Sequence, residues 1–171
     1  MALKPPVTNL DHIQGNSNAS IELVEYGDYQ CPYCAEFYYV IKELQNQLGT
    51  NLKFIFRNFP LEMHPNALHA AIATEVLAKY NKFWPMHDML YENQAYLHDK
   101  NLINYAEKLG VNEQQFEQDF KDKSFADKVE KDFESGLRSG VNGTPSLYIN
   151  NKKYEGEYSL DAILTYIKPL L

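Results

Sequence analysis

The chain has 171 residues, of which 44% are hydrophobic and 13% aromatic, and its 16 basic and 23 acidic side chains give a formal net charge of −7. This length suffices for one hydrophobic core of ordinary size, so we expect one domain with room for an insertion. The acidic balance without a clustered basic patch excludes a nucleic-acid or anionic-membrane surface, and no stretch approaches the ~20 apolar residues of a membrane span.

The first twenty residues are polar and broken by Pro5, Pro6 and Gly15. This composition predicts a poorly structured N-terminal arm over residues 1–20. The segment also lacks the apolar stretch of a signal peptide, which favours a cytoplasmic protein. The alternative is a periplasmic or other extracytoplasmic protein whose signal peptide was removed.

Residues 21–64 form the first regular unit. Residues 21–26 are rich in β-formers and end at Gly27-Asp28, and residues 52–59 repeat this composition, so both stretches are predicted strands. Between them, apolar residues recur at spacings of three and four, which predicts a helix that ends near Gly49; they are Phe37, Ile41, Leu44 and Leu48. Strand, helix and strand in this order predict a parallel βαβ unit.

Residues 65–140 have helical patterns and hardly any strand signal. A first helix over residues 67–77 is apolar nearly all round and is therefore predicted to be buried. Further helices are predicted over 83–93, 99–109, 113–122 and 125–138, with stops and caps at Gly110, Asn112 and Ser124. The whole stretch is predicted to be a helical insertion.

Strand signals return in residues 141–171. Residues 146–149 and 152–155 flank Asn150-Asn151, which predicts a hairpin with a tight turn. Leu160, Ile163, Leu164 and Ile167 then define a last amphipathic helix that stops at Pro169. The predicted class is α/β, with a βαβ unit, an inserted all-helical subdomain and a ββα unit.

The only two cysteines, Cys31 and Cys34, flank Pro32-Tyr33 between the first predicted strand and the helix. Backbone N–H groups point outward at a helix N-terminus and the helix dipole favours negative charge there, so this position lowers the pKa of a thiol. A thiolate is both a good nucleophile and a good leaving group in disulfide exchange. Cys31 is thus the predicted attacking thiol, and Cys34, one turn further along, can resolve a mixed disulfide.

The same spacing also occurs in half of a zinc site. A closed structural site needs four ligands, and the chain has no second C-x-x-C. His64 and His69, or His87 and His98, could complete such a site only by a coincidence of distant parts of the sequence. The sequence therefore favours exchange chemistry without a bound metal, and a metal-binding or chaperone module is the alternative.

Gly143-Thr144-Pro145-Ser146 precedes the returning strand. A proline there cannot donate a ladder hydrogen bond, so it needs a sheet edge, a strand start or a special peptide geometry. A cis Thr144–Pro145 bond is one such geometry, but only about 5–6% of X–Pro bonds in folded proteins are cis. The loop by itself leaves both isomers open.

Taken together, the strand–C-P-Y-C–helix unit, the helical insertion, the G-T-P loop, the hairpin and the final helix resemble a DsbA-like member of the thioredoxin superfamily. The resemblance covers residues 21–168 and is carried by four segments, which are residues 25–34, 59–61, 83–88 and 139–145. It implies a thioredoxin fold with an inserted all-helical subdomain.

The resemblance also implies roles for individual residues. Pro145 would be the cis-proline facing the disulfide, and the backbone of Thr144 would bind an extended substrate strand. Glu25 would be the buried acid near Cys34 that relays its proton; an exposed strand glutamate is the alternative. The implied substrates are protein or peptide thiols and disulfides, with a separate redox partner and no bound cofactor.

One position departs from the DsbA type member, which has histidine where this chain has Tyr33. A neutral tyrosine cannot add positive charge beside the Cys31 thiolate, so the pattern leaves the direction of electron flow open. Pro32 and Tyr33 together set the environment of Cys31. A second candidate function is a DsbA-fold isomerase or glutathione transferase that acts on small molecules.

Overall fold

The computed structural model describes residues 1–171, which form one mixed sheet of five strands and seven α-helices. The strands are β1 (His12–Gly15), β2 (Ile21–Gly27), β3 (Leu52–Asn58), β4 (Ser146–Ile149) and β5 (Lys152–Lys153). The helices are α1 (Pro32–Leu48), α2 (Ala67–Ala78), α3 (Phe83–Glu92), α4 (Asp99–Lys108), α5 (Glu113–Phe120), α6 (Lys123–Ser139) and α7 (Leu160–Ile167). None of these helices is long and apolar enough to cross a membrane.

The sheet is built around β2, in the strand order β1-β3-β2-β4-β5. β2 pairs in parallel with β3 through the α1 crossover and antiparallel with β4. Six of its seven residues are buried, because neighbouring strands flank it and side chains cover both faces. The chain therefore leaves the middle of the sheet directly into the segment that carries the two cysteines.

Five helices, α2 to α6, separate β3 from β4. Nine of the twelve residues of α2 are buried, as its all-round apolar pattern predicts. α6 begins at Lys123, two residues before the predicted start, because the Asp122 side chain accepts the Ser124 N–H as a cap. A βαβ unit, a helical insertion and a ββα unit confirm the predicted fold class.

The N-terminal segment differs from its prediction as a poorly structured arm. β1 pairs antiparallel with β3, and Leu3 is only 2% exposed. The buried Arg57 explains much of this order, because its Nε donates to Asp11 Oδ1 at 2.8 Å and its Nη1 to the Pro5 carbonyl at 3.0 Å. The prediction was wrong because prolines and a glycine stop regular local structure without preventing long-range contacts.

The hairpin is present with a shorter second strand than predicted. Asn150 and Asn151 have φ of 48° and 66°, a conformation that asparagine tolerates and a two-residue hairpin requires. β5 covers only residues 152–153. The ring of Tyr154 is buried, and its hydroxyl donates to the Glu157 carbonyl at 2.9 Å. The hairpin thereby carries the chain back towards α1.

The contact between α6 and the sheet yields a stability prediction. A Cβ on Gly136 would lie 2.6 Å from Phe59 Cδ2 and 3.1 Å from Tyr26 Cδ1. Alanine favours a helix over glycine by about 1 kcal/mol, whereas overpacking a core costs about 1–3 kcal/mol. At contacts this short the overpacking outweighs the gain in helix propensity, so we expect Gly136→Ala to lower the free energy of unfolding in urea by up to about 2 kcal/mol. Lys131→Ala, on the exposed face of α6, is the control, and equal stability of the two variants would contradict close packing at Gly136.

Candidate active site

Cys31 is the N-cap residue of α1, with φ −71° and ψ 120°, and Pro32 occupies the first turn. Its N–H lies 3.1 Å from the Asp28 carbonyl and 3.2 Å from Asp28 Oδ1. The residue is therefore held in a turn that joins β2 to α1. This places the sulfur of Cys31 at the helix end where backbone N–H groups are unpaired.

This environment lowers the pKa of the Cys31 thiol to about 5. The largest cause is the hydrogen bond that the Cys34 thiol donates to it, and Thr144 and the backbone N–H groups of Tyr33 and Cys34 act in the same direction. Together they outweigh the desolvation that burial imposes on a charged sulfur. Cys31 is thus a thiolate at neutral pH, although its residue is only 3% exposed.

Cys34 has the opposite property. It lies one turn into α1 and is fully buried, and both cysteines are free thiols. Burial raises its pKa well above the ordinary value, and the hydrogen bond to Cys31 and the charge of Glu25 raise it further. Cys34 therefore keeps its proton while Cys31 loses one.

Glu25 lies in the middle of β2, opposite Phe56 of β3 and Leu147 of β4. The residue is 2% exposed and its Oε1 has no hydrogen-bond partner. Burial raises its pKa to about 8, and the negative charge of Cys31 adds to this shift. The structure excludes the exposed-strand alternative for Glu25 and gives it a pKa at which a carboxyl can take up or release a proton near neutral pH.

The loop before β4 approaches Cys31 from the other side. The Thr144–Pro145 peptide bond is cis, and the Thr144 carbonyl oxygen lies 3.5 Å from Cys31 Sγ. The Thr144 hydroxyl is buried and has no hydrogen-bond partner. The cysteine turn and the proline loop, 113 residues apart in sequence, thus form one site.

An open groove of about 850 Å³ starts at this loop and runs between α1 and the segment that joins β5 to α7. Tyr33 is 70% exposed on its rim. The groove is lined mainly by aromatic, aliphatic and small side chains, among them Tyr33, Phe37, Val40, Thr144, Pro145 and Tyr158. Its size and shape suit an extended peptide segment.

Two residues that hold the cysteine turn were not predicted from the sequence. Asp28 Oδ2 accepts the Leu61 N–H at 2.8 Å and contacts His64 Nδ1 at 2.7 Å, while its Oδ1 accepts the Gln30 N–H. Gln94, which follows α3, donates to the Cys31 carbonyl at 2.7 Å. The Asp28 carboxylate and the N–H two residues later form an Asx turn, a structure that aspartate favours and that a sequence can therefore indicate. No pattern in the neighbouring sequence marks Gln94.

Three of the four histidines weighed as zinc ligands have other partners. His64 contacts Asp28, His69 contacts Asp99 at 2.7 Å, and the buried His87 contacts the Tyr29 hydroxyl at 2.9 Å. No three His, Cys, Asp or Glu side chains converge as metal ligands.

Residues 8–169 match the family model described as Thioredoxin. The chain is also 34% identical over 154 residues to the Na(+)/H(+) antiporter NhaA 1 of Salinispora arenicola, which covers 90% of this chain and 24% of that protein. The chain spans about a quarter of the length of such curated relatives, the antiporter NhaA of Herminiimonas arsenicoxydans included, at 27%. The antiporter name belongs to these longer proteins, of which this chain matches only a part.

Solved structures agree with the family match. Oxidised BdbD from Bacillus subtilis superposes with a TM-score of 0.87 at 25% identity, covering 96% of this chain and 95% of that one. The thiol-disulfide exchange protein alpha-DsbA2 from Wolbachia pipientis gives a TM-score of 0.83 at 23% identity, covering 95% and 88%. The chain belongs to the thioredoxin family and shares the fold of these two solved structures.

Proposed function

We propose that this chain donates a disulfide to protein substrates, with Cys31 as the exchanging sulfur and Cys34 as its resolving partner. The observation that carries the proposal is the lowered pKa of Cys31 beside a fully buried Cys34. Stabilising the thiolate stabilises the reduced form, which makes the corresponding disulfide a stronger oxidant. The groups around Cys31 thereby favour electron flow from substrate to chain. The sequence, with Tyr33 beside Cys31, left this direction undecided.

The exchange takes place in two steps. A substrate thiolate attacks Cys31 Sγ of the Cys31–Cys34 disulfide, which forms a mixed disulfide and releases Cys34 as a thiolate. A second substrate thiolate then attacks the substrate sulfur of the mixed disulfide and releases the Cys31 thiolate. The substrate loses two electrons and gains a disulfide, and the chain gains two electrons as its dithiol form.

The released Cys34 thiolate needs a proton, because burial makes its charge unfavourable. Glu25 is the carboxyl that supplies it, since its pKa of about 8 keeps it protonated at neutral pH. On reoxidation the proton returns to Glu25 before Cys34 attacks. A proton donor of matched pKa speeds such a step without taking part in the sulfur chemistry.

The groove supports a protein or peptide as substrate. It opens beside Thr144, whose backbone faces Cys31, and an extended chain there can pair with the backbone of the loop. A disulfide donor works against the reducing thiol pool of the cytosol. The proposed role therefore favours an extracytoplasmic location over the cytoplasmic one, with a separate redox partner that reoxidises the dithiol.

The first prediction concerns the covalent intermediate. In Cys34→Ala, Cys31 can attack a disulfide but nothing resolves the product, so a mixed disulfide on Cys31 accumulates. We expect nearly stoichiometric adducts with disulfide-containing peptides, visible by mass and released by a reductant. Cys31→Ala is the control and forms none.

Other outcomes of that experiment favour other functions. Absence of any adduct in Cys34→Ala would count against exchange through Cys31. Undiminished turnover of a small-molecule glutathione conjugate in the same variant would favour the isomerase or transferase alternative. Stoichiometric zinc in the purified chain would favour a metal-binding module.

The second prediction concerns pH. Because the Cys31 pKa is about 5 instead of the ordinary 9.0, alkylation of reduced chain by iodoacetamide should rise with pH to a plateau, with its midpoint near 5. Below that pH Cys31 is protonated and the rate falls. In Cys31→Ser the remaining thiol, Cys34, should react slowly up to high pH. A midpoint near 9.0 in the unmodified chain would contradict the stabilised thiolate.

The third prediction concerns Glu25. Glu25→Gln keeps the shape of the side chain but cannot exchange a proton, so we expect resolution by Cys34 to slow by about a hundredfold. Rapid-mixing kinetics of the mixed-disulfide intermediate measure this step. The matched control is Glu22→Gln on the same strand, where Glu22 pairs with Lys53 near the surface. Equal rates for the two variants would assign Glu25 no part in proton transfer.

A further inference from the structure

Gln94 connects the helical insertion to the cysteine turn. It follows α3 and is half-buried. Its Nε2 donates to the Tyr29 carbonyl at 3.0 Å and to the Cys31 carbonyl at 2.7 Å. One side-chain amide thus contacts two carbonyls of a turn that lies 63 residues earlier in sequence.

These two carbonyl oxygens converge on the same nitrogen. The Cys31 carbonyl also accepts the Ala35 N–H at 3.2 Å, which is the first backbone bond of α1. Converging oxygen dipoles repel one another unless a donor lies between them. The amide of Gln94 supplies both donors.

Cys31 is consequently fixed at both ends of its backbone. Asp28 accepts its N–H, and Gln94 donates to its carbonyl. The sulfur depends on this placement, because its pKa is lowered by the Cys34 thiol and by the N–H groups of the first turn, which lie at fixed positions on α1. A change in the backbone of Cys31 moves the sulfur away from these donors.

We propose that Gln94 is a positioning residue for Cys31, through which the helical insertion controls the reactivity of the attacking thiol. The inference rests on the proposed role of Cys31 in exchange. Gln94 does not contact the sulfur; its role is to hold the turn in the geometry where the thiolate is hydrogen-bonded. The insertion therefore contributes to the chemistry of the site as well as to its surroundings.

The test uses three variants of the whole chain. Gln94→Met keeps the length of the side chain and removes both donors, whereas Gln94→Asn keeps a neutral amide donor on a side chain one methylene shorter. Gln45→Met is the matched control, since Gln45 is also half-buried and donates to Gln14 Oε1 at 2.7 Å, far along α1 from the cysteines. The measurements are the pH dependence of thiolate absorbance, the reduction potential against glutathione and the thermal unfolding midpoint.

In Gln94→Met we expect the Cys31 pKa to rise by about one unit, so that alkylation at acidic pH slows about tenfold, and the chain to become a weaker oxidant. Gln94→Asn should shift both properties less than Gln94→Met does. Gln45→Met should leave both unchanged, whatever its effect on the unfolding midpoint.

Three results would overturn the inference. They are an unchanged Cys31 pKa in Gln94→Met, an equal shift in Gln45→Met, or a Gln94→Asn variant that behaves like Gln94→Met. If Gln94→Met does not fold, Gln94→Asn decides alone, because only a Cys31 pKa that stays low with a neutral amide fits a donor role. Failure of the proposed function is separate, since it shows in the unmodified chain as an ordinary Cys31 pKa and no exchange.

Discussion

The site depends on the coupling between the two thiols. The Cys34 thiol is the largest cause of the lowered Cys31 pKa, and Cys31 helps to raise the pKa of Cys34. The two thiols therefore titrate as a coupled pair, and stabilising the charge on one keeps the proton on the other. This coupling requires both cysteines in the first turn of α1, which the two intervening residues and the N-cap position of Cys31 provide.

The fold brings the remaining groups to this pair from three distant parts of the sequence. β2 lies in the middle of the sheet, so Glu25 is buried between two neighbouring strands and its carboxyl is desolvated. β3 runs parallel to β2, and the loop that follows it meets the loop that follows β2 at the same sheet edge, where Leu61 contacts Asp28. β4 runs antiparallel to β2, so the loop that precedes β4 places Thr144 at the same edge.

Sequence patterns among residues close together in the chain predicted much of this architecture. The apolar spacing from Phe37 to Leu48 defined α1, and the pair Asn150-Asn151 defined the hairpin, because both depend on neighbours in the sequence. The order of the N-terminal segment and the contact of Gln94 with Cys31 escaped prediction, since each depends on partners about fifty to sixty residues away. The burial of Glu25 was predicted only through the family resemblance, because its own strand pattern is equally consistent with an exposed side chain.

The tyrosine at position 33 can now be assessed from the geometry. Its side chain is 70% exposed on the groove rim, and it contributes to the Cys31 thiolate through its backbone N–H. A backbone donor is present whatever the side chain, so a positive charge at this position is not required to lower the Cys31 pKa. The side chain of Tyr33 is then free to contact whatever lies in the groove, and the chemistry of the thiolate is set separately by Cys34, the first turn of α1 and the residues that hold that turn.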